Sequence, residues 1–185
     1  MKRLFLLLLL LSLLAGCGKK EVERASELQR VGLSDRGQVL SFLAPEEAIT
    51  LRVRIYTLGA DGAWALEDEG GISIGQEREP IERLEGEFSM TVEEDKSISF
   101  AIDCAGLAEF SVPAPPHDTV ETQWVLSVSP ESLPIVTDGE IPVAIVCYDT
   151  DEPKGTDLDA FGEPAALTGQ VLVQAVTLEF TGEEL

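Results

Sequence analysis

Beyond about residue 30, the apolar positions of this chain recur at every second residue. Leu51, Val53 and Ile55 alternate with Arg52, Arg54 and Tyr56, the signature of a half-buried strand. Gly59-Ala60-Asp61-Gly62 then reads as a hairpin-type turn leading into Trp64-Ala65-Leu66. Phe88, Met90 and Val92 repeat the pattern, and Glu93 to Lys96 makes a charged turn. Ile98, Phe100, Ile102 and Cys104 share the next inward face. Trp124, Leu126 and Val128 follow, then Ile141, Val143, Ile145 and Cys147, and finally a strand from Gln170 to Phe180. Several short alternating strands separated by turn signals predict an antiparallel β-sandwich, with immunoglobulin-like and jelly-roll-like strand orders both open. Only Pro45 to Ala48 and Pro80 to Leu84 suggest helical turns. Ser111 to Asp118 (SVPAPPHD) interrupts the pattern, because prolines cannot join a central strand. It marks either a long crossover within one domain or a division near residues 113–118. Halves that small would bury little core, so one domain over residues 31–185 is expected.

The N-terminus is of another kind. Lys2 and Arg3 precede an apolar run from Leu4 to Leu14, and Leu14-Ala15-Gly16-Cys17 closes it. The run is too short to span a bilayer, which takes about 20 apolar residues. Residues 1–17 resemble the signal of bacterial lipoproteins. The resemblance implies removal of residues 1–16, a diacylglyceryl group on the Cys17 thiol, and a domain fixed to a membrane on its extracytoplasmic side. Two acyl chains hold stably where one holds only marginally. Residues 17–30, mixed in charge and without an apolar stripe, then read as a tether.

Charge narrows the partners. The chain has 34 acidic residues against 13 basic, a formal net charge of −21, and losing Lys2 and Arg3 with the signal would deepen it to −23. Lys154 is the one basic residue after Lys96. Such a surface repels phosphate backbones, which excludes nucleic acid as a partner. The abundance of Leu, Ile and Val argues against disorder. With Cys17 lipidated, Cys104 and Cys147 remain. They are either a disulfide of an exported domain or two buried thiols.

Catalytic chemistry finds little footing. His117, followed by Asp118, is the sole histidine, and no G-x-S-x-G, H-E-x-x-H or C-x-x-C occurs. Paired carboxylates could hydrolyse a glycosidic bond, but so many acidic residues produce suitable pairs by chance. The strongest candidate is Asp149 to Glu163 (DTDEPKGTDLDAFGE). Asp149, Asp151, Asp157 and Asp159 could supply carboxylate oxygens to Ca²⁺, and Asp157 to Gly162 imitates the start of an EF-hand loop. The EF-hand pattern fails at Phe161 and Thr168, so a plain solvated acidic loop is the competing reading. Tyr56, Trp64, Trp124 and Tyr148 are the aromatics able to stack on a sugar, and Trp124 has the alternation of a core residue. The expectation is a membrane-anchored lipoprotein with a non-catalytic binding or structural β domain and no firm cofactor. Its partner would be an envelope protein or a glycan. The alternatives are a polysaccharide-acting enzyme and a calcium-dependent adhesion or binding module.

Overall fold

The computed structural model describes residues 25–74, 83–104, 106–114 and 122–185. Among them, two antiparallel sheets pack face to face as a β-sandwich. Strands β1 (Glu27–Ser34) and β2 (Gly37–Leu43) form one hairpin, and β3 (Thr50–Leu58) and β4 (Trp64–Ser73) another. A meander of β5 (Glu85–Val92), β6 (Ile98–Cys104) and β7 (Gly106–Val112) follows. The last strands are β8 (Gln123–Val128), β9 (Ser132–Pro134), β10 (Glu140–Asp149) and β11 (Leu172–Thr181). The six-stranded sheet runs β7-β6-β5-β2-β1-β9 and the five-stranded sheet β4-β3-β11-β10-β8. Residues before and after the proline-rich break contribute strands to both sheets, so one core spans the break.

The alternation read from the sequence explains most of this core. Leu51, Val53 and Ile55 of β3 face Phe88, Met90 and Val92 of β5 and Ile98, Phe100 and Ile102 of β6, all buried. Phe42 meets Phe180 across the sheets at 5.6 Å between ring centroids, and Phe100 stacks on Phe110 at 4.9 Å. Each such side chain removed from water contributes about 1.5–3 kcal/mol.

Three expectations are corrected. Residues 27–30, read as tether, open β1: Leu28 is buried opposite Phe42 and Leu133, and Arg30 Nη1 donates to the Ser129 carbonyl. One apolar residue among Glu27, Gln29 and Arg30 is too short a pattern to announce a strand. Pro45 to Ala48 forms a hydrogen-bonded turn and no helix, with Ala48 N–H donating to Pro45 O at 3.1 Å. In the Pro80 to Leu84 segment, Arg83 and Leu84 are not helical, and residues 80–82 lie outside the described residues.

The third correction concerns β10. Pro142 pairs with Thr177 and Ala144 with Val176, so Val143 is an extra residue, a β-bulge. The inward face therefore passes from Ile141 and Val143 to Ala144, Val146 and Tyr148, while Ile145 and Cys147 turn to the outside of the sheet. Pro142 is tolerated because the β8 ladder reaches only as far as Ala144. The Val143 carbonyl freed by the bulge accepts from Ser129 N–H at 3.0 Å and from Gln38 Nε2 at 2.7 Å.

Candidate functional site: the outer face of the five-stranded sheet

The bulge gives the five-stranded sheet a second apolar patch, on the side away from the core. Ile145 and Cys147 of β10 join Val173 and Ala175 of β11 there, bordered by Tyr56, Leu58, Trp64 and Val125. Residues 150–170 fold back over this patch as a strap. Prolines and glycines (Pro153, Gly155, Gly162, Pro164, Gly169) break it into two single 3-10 turns, Leu158–Phe161 and Pro164–Leu167. Leu158, Ala160, Phe161 and Leu167 pack downward. Phe161 stacks on Trp64 at 5.3 Å and tilts against Tyr56 at 5.6 Å. Trp64 Nε1–H donates to the Phe161 carbonyl at 2.9 Å, which pins the strap to β4.

Beside the strap the same face becomes ionic. Arg54 is the hub: Nε meets Glu69 at 2.6 Å, Nη1 meets Glu140 at 3.0 Å and Nη2 meets Glu179 at 3.0 Å. Arg52 adds a contact to Glu179 at 3.4 Å. Glu140 and Glu179 stand directly opposite on β10 and β11, a repulsive pairing that the Arg54 fork neutralises. Burial alone would lower the Arg54 pKa, but the Glu69 hydrogen bond and the three carboxylates outweigh it and push it up. Tyr56 O–H donates to Glu140 at 2.7 Å, and burial together with that bond pushes its pKa up to about 12. Leu66, 52% exposed, flanks the cluster. The result is a fixed array of guanidinium, carboxylates and half-buried aromatic rings. It suits recognition more than proton transfer, since Glu69, Glu140 and Glu179 are all engaged by one cation.

No protein-family profile, curated protein or solved structure matches this chain.

The residues singled out from the sequence fall as follows. Asp149 Oδ1 accepts from the Thr150 and Asp151 amides at 2.7 and 3.4 Å, so it caps its own turn. Asp151, Asp157 and Asp159 are exposed. Among the described residues no three His, Cys, Asp or Glu side chains gather where they could hold a metal ion. The candidate carboxylates are not brought together: the strap uses its turns to seat apolar side chains and spreads Asp151, Asp157 and Asp159 over the outside. Cys104 and Cys147 are not bridged. Cys104 lies in the inter-sheet core and Cys147 on the far side of the five-stranded sheet, separated by the parity change at Val143. Burial pushes the Cys147 thiol up to about 11. Trp124 packs against the core and Trp64 is half-buried under the strap. Cys17, His117 and Asp118 lie outside the described residues.

Arg54, Glu69, Glu140 and Glu179 carried no motif. The alternation placed Arg54 on an outward face, but its partners come from β4, β10 and β11, and only strand order brings these together.

Proposed function

We propose that this chain is a lipoprotein anchored to a membrane through Cys17, and that its extracytoplasmic β-sandwich is a binding or structural module without catalysis. The observation that carries the binding role is the ionic and aromatic array around Arg54, because a partly exposed, pre-organised array is what recognition requires. The Leu14-Ala15-Gly16-Cys17 sequence supports the anchor. Topology supports a consistent orientation. The Ile49 amide bonds to Thr181 at 2.9 Å, and Ser26 lines one groove with Pro45, Glu46 and Glu47, which lead into β3, so the end where β1 starts is also where β3 starts and β11 finishes. Ten residues of chain from Cys17 span at most about 35 Å. The strap lies at the other end of β3, beside Leu58 and Trp64, and so points away from the anchor. Its partner would be an envelope protein or a glycan.

The test begins with the full-length chain expressed in a bacterial host. Membrane fractionation and mass spectrometry of the mature N-terminus should find it membrane-bound, with a diacylglyceryl group on Cys17. The Cys17→Ala variant should be neither acylated nor retained. An unacylated wild-type chain in the soluble fraction would refute the anchor. Sugar release from a polysaccharide panel that vanishes in Glu140→Gln would replace the binding module with a hydrolase.

A further inference from the structure

The strap differs from everything around it in how it is held. Each neighbouring strand is tied by a ladder of backbone bonds, whereas the strap bonds mainly to itself: Ala160 N–H to Asp157 O, Gly162 to Asp159, Glu163 to Ala160 and Ala166 to Glu163. Apart from the Thr150 and Asp151 amides on Asp149 Oδ1 at its first turn, its hydrogen bonds to the sandwich among the described residues are Thr156 N–H to Ser127 Oγ at 3.0 Å and Trp64 Nε1–H to Phe161 O, beside the apolar packing beneath it. Gly155 and Gly169 stand near its two ends, and Gly169 has φ +99°, a backbone state that a glycine enters and leaves without steric cost. Where the strap rejoins β11, the buried Gln170 Oε1 has no hydrogen-bond partner. A groove of about 460 Å³ opens at that point, between Thr57 to Gly62 and Leu167 to Val173, leaving room for the end to shift. The strap's outer side carries Asp151, Glu152, Asp157, Asp159 and Glu163 against Lys154 alone, over a body of the same sign.

We infer that residues 150–170 open as a unit while the sandwich stays folded, and that ionic strength sets how often they do so. Segments with few backbone bonds to their surroundings open at lower cost than laddered strands. Self-repulsion of the carboxylates favours the open form and salt screens it. Opening lifts Phe161 from Trp64 and Tyr56 and uncovers the patch of Ile145, Cys147, Val173 and Ala175. Cys147 thereby becomes a built-in reporter, and Cys104 in the inter-sheet core reports unfolding of the whole domain.

The full-length protein would be exposed to N-ethylmaleimide and the labelling of Cys147 and Cys104 followed separately by peptide mass spectrometry. Cys147 should label faster than Cys104, and several-fold faster at about 10 mM than at about 500 mM NaCl. Phe161→Ala should raise the Cys147 rate about tenfold or more without changing that of Cys104, while Phe161→Leu should stay near wild type. Parallel labelling of both cysteines in the wild-type protein would overturn the inference, because only global unfolding would then be observed. So would a Cys147 rate indifferent to salt, a readout that needs no variant to fold.

Discussion

Gln38 shows how a single polar side chain can join two layers. It stands on the inward face of β2 and is 2% exposed, yet both ends of its amide are used. Nε2 donates to Val143 O at 2.7 Å on the opposite sheet, and Oε1 accepts from Ser129 Oγ at 3.0 Å. Replacing it with leucine keeps the volume but leaves the Ser129 hydroxyl buried without its acceptor. The expected loss in urea unfolding is about 1–3 kcal/mol, and Ser129→Ala in the Gln38→Leu background should cost less than it does alone. Arg54 does the corresponding work on the outside. Without it, Glu69, Glu140 and Glu179 face one another with Arg52 as the remaining cation. Arg54→Met should destabilise by about 1–3 kcal/mol, between the values typical of exposed and fully buried pairs. The loss should shrink when unfolding is repeated in high salt, and Glu140→Gln should recover part of it.

At the scale of elements, the sequence is a good guide where three or more large apolar residues recur with one parity. β3, β5 and β6 are buried on the faces their alternation indicated. β10 misled because its run of Ile141, Val143, Ile145 and Cys147 is regular in sequence and broken in space. A bulge depends on hydrogen bonds to neighbouring strands, which no local pattern encodes. Four strands are not read from the sequence: β1 and β9 each offer a single inward leucine, Leu28 or Leu133, β2 turns Gln38 inward beside Leu40 and Phe42, and β7 buries only Val112 fully. In the acidic segment the carboxylates dominate the sequence and hide the Leu158, Ala160 and Phe161 that fix its place. Strand spacing also leaves a mark in the glycines. A Cβ on Gly37 would come within 2.1 Å of Met90 O on β5. Since that obstacle is backbone, Gly37→Ala should push β2 and β5 apart and lower stability by about 1–3 kcal/mol in thermal unfolding.

For the whole molecule, alkaline pH should act as a graded probe of packing. The two tyrosines of the chain are both held above their ordinary pKa, Tyr56 near 12 and Tyr148, buried mainly among apolar side chains, further still. Cys147 sits at about 11 against an ordinary 9.0. In each case the folded state keeps a proton that the unfolded chain has lost, so stability is intact below about pH 9 and falls as pH rises. The fall starts with Cys147 between about 9 and 11 and continues with Tyr56 between about 10 and 12, with a limiting slope of about 1.4 kcal/mol per pH unit for each group. Absorbance at 295 nm should therefore show almost no tyrosinate at pH 10.5, where a denatured control is largely ionised. Early tyrosinate in the folded protein would contradict the burial of both rings.

The position of β11 has a consequence in time. It is the final strand in sequence and the middle strand of its sheet, with β3 on one side and β10 on the other. A chain made from the N-terminus onward supplies both flanking strands long before the strand that joins them. Until residues 172–181 emerge, β3 is paired only with β4 and β10 only with β8, so each presents one bare edge, and Leu51, Val53 and Val146 lack the neighbour that β11 supplies. The domain thus cannot be assembled piecemeal during synthesis. It must be kept from sticking to itself or to others until its last strand is delivered.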